Sequence, residues 1–332
     1  TGAPLARPSP CRGGGQGTLH PDRMTESNPA TLPPMAPAPA AMARQLSRLS
    51  RLSEPSWLHG EVARRLGDKL QAILLEPQDW LDWGGWLGAG QAVVQARYPQ
   101  ARRWVWEPTP ALADRSVQQW TQQHARPWWA RWQSARSPVV EHLTPPPPHW
   151  PAEGMGLVWA NMALHASTDL DALFKTWHEI LKVDGFLMCS GLGPDTAKEL
   201  RAVYQAMGWG LPTIDFIDMH DLGDAFVQAG FADPVMDMER LSLTWPDAET
   251  MLSEWRTWGG NVATGRFAGC RTPRWRQQLI QALETHLKRP DGRLGLSLEL
   301  VYGHAVKPAP RFSVTGETRV SLDDMRRMIR KS

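Results

Sequence analysis

Helical and extended patterns of apolar residues alternate along most of this chain. The first helical face consists of Val62, Leu66, Leu70 and Ile73. Pro77 ends that helix, and a short strand at residues 79–83, a glycine-containing turn at 84–90 and a helix from 92 follow. A second strand is predicted at residues 104–106. Strand, glycine turn, helix and strand in this order open a doubly wound parallel sheet.

The same alternation continues toward the carboxyl end. Further strands are predicted at residues 156–160, 186–189, 234–245 and 294–300. Further helices are predicted at residues 111–123, 170–181, 197–207, 221–229 and 275–287. No composition break interrupts the pattern, so we expect one α/β domain whose sheet is closed by a late strand, with helical additions.

Length and composition set the limits of that domain. The chain has 332 residues, of which 42% are apolar, enough for a sizeable core. Residues 1–41 are rich in Pro, Ala and Gly and predict a disordered leader. Residues 42–308 hold the periodic pattern, and residues 309–332 are polar and predict a flexible tail.

Charge and cysteine usage narrow the function classes. The net charge is +2 and the basic residues are scattered, which argues against nucleic-acid binding. No apolar run is long enough to span a membrane. Cys11, Cys189 and Cys270 lie too far apart for a zinc motif or a disulfide framework, so we expect no metal and a reducing, cytoplasmic location. The oligomeric state is left open.

The glycine turn after the first strand is the main candidate binding site. Ligands of open α/β sheets bind beyond the carboxyl ends of the strands, where glycines admit a close approach. Asp82, Gly84, Gly85 and Gly88 occupy that place, and Glu107 follows the second strand, where one carboxylate could accept two hydrogen bonds from adjacent donors of a ligand. The alternative interpretation is a tight turn beside a solvated glutamate.

Several segments resemble one known family. They are LELVYGHAVKP at residues 298–308, DMHDLGDA at 218–225, LVWANMAL at 157–164 and LKVDG at 181–185, together with LGP at 192–194 before KELR at 198–201. In this order they are similar to the malonyl-acyl-carrier-protein O-methyltransferases of biotin synthesis, the BioC family. The resemblance covers about residues 60–308.

The resemblance implies both a fold and an activity. The fold is the seven-stranded, Rossmann-like sheet of class I S-adenosylmethionine-dependent methyltransferases. The activity is methylation of the free carboxylate of a malonyl thioester, so the substrate is a small molecule or one linked to acyl carrier protein. Asn161 then joins Asp82, Gly84, Gly85, Gly88 and Glu107 as a candidate contact to S-adenosylmethionine. Arg201 and His220 are the candidates for substrate binding, because a buried cation suits a carboxylate. No catalytic residue is assigned.

The chain also departs from the family pattern. Trp86 replaces the middle glycine of the loop, so we expect its indole to project toward the methionine part of the cofactor. Gly156 replaces an aspartate, and the prolines at 145–148 lack the acid that holds the adenine. Two alternatives therefore remain: a catalytically silent binding or regulatory relative, and a methyltransferase for another small molecule. A dehydrogenase could use a similar turn, but the closing strand favours the methyltransferase family.

Overall fold

A computed structural model describes residues 36–123, 139–141 and 153–310, with only the backbone described for 139–141. The predicted leader up to residue 35, the tail from 311 and the prolines at 145–148 lie outside the described residues. The expected flexibility of the leader and the tail therefore stays a prediction.

Helices and strands alternate as the sequence pattern predicts. The strands are β1 (Asp79–Trp83), β2 (Arg102–Trp106), β3 (Val139–Glu141), β4 (Met155–Ala160), β5 (Leu181–Leu192), β6 (Ala232–Trp245) and β7 (Leu294–Val306). The helices are α1 (Pro39–Leu49), α2 (Trp57–Lys69), α3 (Gly85–Gly88), α4 (Gln91–Arg97), α5 (Pro110–Gln123), α6 (Leu170–Ile180), α7 (Lys198–Met207), α8 (Met219–Gln228), α9 (Ala248–Trp258) and α10 (Pro273–His286). Single turns of 3-10 helix occur at Leu70–Ala72 and Leu164–Ala166.

All seven strands form one sheet in the order β3-β2-β1-β4-β5-β7-β6. The first five strands run parallel to their neighbours, whereas β7 pairs antiparallel with both β5 and β6. The order in which strands are added to the sheet reverses between β1 and β4, which are parallel, and ligands bind at such a switch point. The arrangement confirms the predicted doubly wound, seven-stranded Rossmann-like fold.

Helices cover both faces of the sheet, which is why its central strands are apolar along their whole length. Every residue of β4 is buried. One core cluster includes Trp80, Leu157 and Tyr302, and another includes Leu81, Val158 and Trp177. Neighbouring residues of one strand fall into different clusters because successive side chains point to opposite faces of the sheet.

Three helices were not predicted from the pattern: α1, α9 and the four-residue α3, which occupies part of the predicted glycine turn. Helix α9 is capped by Asp247, whose carboxylate accepts a hydrogen bond from the Thr250 amide. Met251, Trp255 and Trp258 recur along it at helical spacing, a signal for this helix in the sequence. Helix α1 lies in the Pro/Ala-rich stretch and begins at Pro39, a residue suited to the first turn of a helix. No helix in the described parts of the chain combines the length and the apolar character needed to cross a membrane.

The described chain contacts the sheet domain before the expected boundary at residue 42. The Ala38 amide donates to the Val262 carbonyl at 2.7 Å, and the Thr264 amide donates to the Ala36 carbonyl at 2.9 Å. Ala41 and Met42 are buried against Ile214 and neighbouring residues. Residues 36–41 are therefore part of the packed structure. Their composition alone indicates a linker, but small alanine side chains can pack closely.

Candidate functional site

A cavity of about 400 Å³ lies beyond the carboxyl ends of β1, β2 and β4. Its walls include Trp83, Gly84, Gly88, Trp106 and Asn161. The indoles of Trp83 and Trp106 stack with their ring centroids 3.8 Å apart and provide a flat apolar wall. Both the volume and the position are those of a small-molecule site in an open α/β sheet.

The glycines of the turn have separate roles. Gly84 has a φ of +67° and directs the chain from β1 into α3, a backbone conformation that favours glycine. A Cβ atom on Gly85 would lie 2.8 Å from an Asp82 carboxylate oxygen, and one on Gly88 would lie 3.3 Å from the Asn161 carbonyl. Gly84 and Gly88 line the cavity, whereas Gly85 packs on the buried acid beneath the turn.

Asp82 lies under the turn and outside the cavity wall. Its side chain is fully buried, and its Oδ2 atom accepts hydrogen bonds from Arg103 Nη2 at 2.7 Å and Nε at 3.0 Å. Burial raises the pKa of Asp82, and the charge of Arg103 opposes that rise. The carboxylate thus stabilises the end of β1 against β2 and does not face the cavity.

Glu107 follows β2 as predicted, but its carboxylate points into the protein. Its Oε1 atom accepts hydrogen bonds from the Trp86 amide at 2.7 Å and from the Ser116 hydroxyl at 2.6 Å. The side chain is fully buried and does not line the cavity. Burial raises the pKa of Glu107 to about 7, although both hydrogen bonds favour the charged form. The Glu107 carboxylate therefore holds the glycine turn against α5.

Trp86 does not project toward the cavity, contrary to the expectation from the sequence. Its indole is buried, does not belong to the cavity wall, and lies with its ring centroid 4.7 Å from the guanidinium carbon of Arg115 on α5. The short helix α3 causes this placement, because it turns the side chain away from Gly84 and Gly88. The tryptophan that replaces the loop glycine therefore leaves the cavity open.

Asn161 joins the two sides of the cavity. Its Nδ2 atom donates to the Gly88 carbonyl at 2.6 Å and to the His59 carbonyl at 2.8 Å. Its Oδ1 atom accepts a hydrogen bond from the Ser190 hydroxyl at 2.7 Å. The residue that follows β4 thus fixes the glycine turn and α2 in place, and it lines the cavity as well.

The structure does not bring the two substrate candidates to the cavity. Arg201 on α7 donates from Nη1 to the Pro194 carbonyl, from Nη2 to the Thr196 carbonyl and from Nε to the Thr213 hydroxyl, at 2.7 to 3.3 Å. His220 is exposed in the first turn of α8, where its amide donates to Asp218. Neither residue lines the cavity. Arg201 therefore stabilises the loop before α7 through its hydrogen bonds, and His220 lies in the first turn of α8.

Two histidines line the cavity and were not predicted as site residues. The Nδ1 atom of His59 lies 2.7 Å from the Leu87 carbonyl, and burial lowers the pKa of this imidazole. Burial also lowers the pKa of His165 to about 3, and the proximity of His59 adds to the effect. The sequence held a signal for each: His59 is three residues before Val62 on the buried face of α2, and His165 directly follows the LVWANMAL motif.

Fold and cavity define the class: the strand order with an antiparallel β7 and a cavity beyond β1 and β4 are those of a class I methyltransferase. The YcgJ protein from Bacillus subtilis shares this fold with a TM-score of 0.50 and 12% identity, over 74% of this chain and 98% of that one. No protein-family model matches the chain.

Comparison with curated sequences identifies the family. The chain is 37% identical over 274 residues to the malonyl-acyl-carrier-protein O-methyltransferase of Laribacter hongkongensis, which covers 82% of this chain and 88% of that protein. It is 36% identical over 280 residues to the protein of the same name from Gallionella capsiferriformans, with 83% and 93% covered. The chain belongs to the malonyl-acyl-carrier-protein O-methyltransferase family.

Proposed function

We propose that this protein is an S-adenosylmethionine-dependent methyltransferase of biotin synthesis that methylates the free carboxylate of malonyl-acyl-carrier protein. The observation that carries the proposal is the open cavity at the glycine turn, in a chain of this family. Trp86, which could have closed that cavity, packs against Arg115 instead. A different small methyl acceptor would require changes only in the walls that meet the substrate.

The cavity residues suit the proposed cofactor in shape and in charge. Gly84 and Gly88 allow a close approach at the turn, and Trp83 and Trp106 offer aromatic faces, which attract a sulfonium cation. Among the described residues, no Lys or Arg lines the cavity, so no fixed positive charge opposes that cation. We propose Gly84, Gly88 and Asn161 as direct contacts, with Asp82, Gly85 and Glu107 shaping the turn from beneath.

The proposed reaction requires the protein mainly to position the methyl donor and the methyl acceptor. When bound, S-adenosylmethionine supplies a methyl group activated by the positive sulfur. A malonyl carboxylate is already a nucleophile, so no side chain has to remove a proton. The described residues contribute orientation and mainly apolar walls, which favour an in-line transfer.

A catalytically silent relative is the second candidate. The observation that favours it is the internal pairing of the two acids near the turn, Asp82 with Arg103 and Glu107 with Ser116 and the Trp86 amide. Neither acid offers an oxygen to the cavity, so the ribose would have to be bound by other groups. Such a protein would keep the fold without binding the cofactor.

Titration of S-adenosylhomocysteine, the demethylated product of the cofactor, distinguishes the two candidates. Ala166 lines the cavity at an exposed position, so Ala166→Trp should narrow the cavity with little effect on folding. Ala206 is exposed on α7 and does not line the cavity, so Ala206→Trp is the matched control. We expect binding by the wild type and the control, and at least tenfold weaker binding by Ala166→Trp.

The rate of transfer of a labelled methyl group to malonyl-acyl-carrier protein should be similar for the wild type and Ala206→Trp and lower for Ala166→Trp. Absence of any binding by the wild type at millimolar ligand would reject the proposed function and favour the silent relative. Binding without transfer to the malonyl substrate would point to a different methyl acceptor.

A further inference from the structure

Two further cavities border His165, which also lines the cavity that we assign to the cofactor. A cavity of about 330 Å³ is bordered by Asp169, Asp171 and Asp215, and one of about 190 Å³ is walled mainly by apolar groups, Trp255 and Trp258 among them. Among the described residues, His165 is the only one that lines all three cavities. A methyl donor and a methyl acceptor that enter from different sides would meet at this side chain.

The charges around this junction leave few ways to bind an anion. Among the described residues, no Lys or Arg lines any of the three cavities. The three aspartates would repel a carboxylate from the acidic cavity, which directs the substrate toward the apolar one. A carboxylate brought into such an enclosure requires a hydrogen-bond donor, because an unpaired buried charge is strongly destabilising.

The two histidines differ in what they can donate. The Leu87 carbonyl can only accept, so the proton of neutral His59 is on Nδ1 and its Nε2 atom is an acceptor. His165 has no such constraint, because its Nδ1 atom is buried without a hydrogen-bond partner among the described residues. Because protein atoms enclose Nδ1, the ring N–H that a neutral His165 can offer to a ligand is the one on Nε2.

We propose that His165 binds the malonyl carboxylate and positions it for methyl transfer through a hydrogen bond donated by its neutral imidazole. This inference rests on the proposed function and names the residue that recognises the substrate anion. It replaces Arg201, whose guanidinium is held by Pro194, Thr196 and Thr213.

The neutral state of His165 suits a site that also holds a sulfonium. Its pKa of about 3 keeps the imidazole uncharged near neutral pH. The titratable groups that share its cavities are His59 and the aspartates at 169, 171 and 215. An uncharged donor stabilises the carboxylate without repelling the methyl donor, which a guanidinium would do.

The transfer itself moves no proton. A carboxylate oxygen forms a bond to the methyl carbon while the bond from that carbon to sulfur breaks, and the electron pair stays on sulfur. A methyl ester and a neutral thioether result. The negative charge that His165 recognises is absent from the product, so this contact favours the substrate over the methyl ester.

Discrimination between the acid and its ester tests the inference. Malonyl-pantetheine and its methyl ester are titrated, with S-adenosylhomocysteine present, into the wild type, His165→Gln, His165→Ala and His286→Gln. His286 is exposed at the end of α10 and serves as the matched control. We expect the wild type and the control to prefer the acid at least tenfold, and His165→Ala to lose that preference while its affinity for the ester stays within about threefold.

His165→Gln should recover part of the preference, because its amide also donates a hydrogen bond. Retention of the full preference by His165→Ala would overturn the role of His165. Equal loss of affinity for acid, ester and S-adenosylhomocysteine would show a purely structural role and overturn it as well. Failure of the wild type to bind S-adenosylhomocysteine would instead reject the proposed function, so the two failures are distinguishable.

Discussion

The two sides of the cavity use their polar groups in opposite ways. On the side of the glycine turn, Asp82 and Glu107 are fully buried and bonded to Arg103, Ser116 and a backbone amide. On the opposite side, His59 and His165 each keep a ring nitrogen without a partner among the described residues. Asp82 Oδ1 and Glu107 Oε2 also have no partner among the described residues, but these acids lie behind the turn, whereas both histidines line the cavity that a ligand would enter.

This difference separates residues that support the fold from residues that recognise a ligand. A buried polar group that is already paired stabilises the backbone on which a ligand rests, and its removal acts mainly on folding. An unpaired group at a cavity wall costs stability until a ligand satisfies it. We therefore expect substitutions at the turn to change stability, and substitutions at the histidines to change binding.

The largest effect should come from the ion pair under the turn. Arg103→Met leaves the Asp82 carboxylate buried without its partner, which should cost about 3 to 5 kcal/mol of unfolding free energy. Arg276→Met, which breaks the exposed pair with Glu249, should leave the unfolding free energy nearly unchanged, because water screens such a pair. Urea unfolding at pH 7 measures both. Similar small losses in the two variants would mean that the Asp82 pair is not enclosed.

The pH dependence of stability should reveal the buried Glu107. Its pKa of about 7 in the fold exceeds the ordinary value of 4.5, so the folded protein holds the extra proton between these values. This contribution is present below pH 4.5 and is lost as the pH rises through 7, a loss of about 3 kcal/mol. Glu107→Gln keeps the acceptor for the Trp86 amide and should be stabilising at pH 8 but nearly neutral at pH 4.5. A variant that is destabilised at pH 8 would contradict this assignment.

His165 should show the opposite slope. Its folded pKa of about 3 lies below the ordinary 6.5, so the unfolded chain binds the proton first and stability falls as the pH drops below 6.5. At pH 5 the loss is about 2 kcal/mol. His165→Gln removes this loss, so its effect relative to the wild type should be about 2 kcal/mol more favourable at pH 5 than at pH 8. His286→Gln, at an exposed position, is the control, and equal behaviour of the two variants would mean that His165 is exposed to water.

The smallest expected effect concerns the chain before α1, the helix that covers the histidine side. A chain beginning at residue 42 lacks the hydrogen bonds from the Ala38 amide to Val262 and from the Thr264 amide to Ala36. Compared with a chain beginning at residue 36, it should lose about 1 to 3 kcal/mol. Thermal unfolding compares the two. Equal stability would restore the domain boundary expected from composition.

Much of the fold follows from the sequence because its signals are local. Strand β1 occurs at the predicted residues 79–83, and the helices at Leu170–Ile180 and Pro273–His286 differ from prediction by a few residues at most. Their apolar periods and flanking prolines or glycines depend on neighbours in the chain. Helix α1 was missed although Met42, Leu46 and Leu49 follow a helical spacing, because the Pro/Ala-rich residues before them indicate a leader and the start of the helix is held by distant contacts such as Val262.

The site was predictable in position but not in detail. The glycine turn and Asn161 lie at the cavity because motif and strand order fix them. The direction of the Glu107 and Trp86 side chains could not be predicted, since it depends on how the four-residue helix α3 packs on α5. The role proposed for His165 depends on three cavities that border this residue only in the folded chain.

The central claim is that the acids at the turn support the fold, whereas the histidines recognise the ligand. Isothermal titration of S-adenosylhomocysteine into Glu107→Gln and the wild type tests this claim most directly. A buried Glu107 that only holds the Trp86 amide predicts an affinity within about twofold of the wild type, because glutamine accepts the same hydrogen bonds. A loss of tenfold or more, in a variant whose stability at pH 8 is not reduced, would mean that the carboxylate binds the cofactor itself and would contradict this claim.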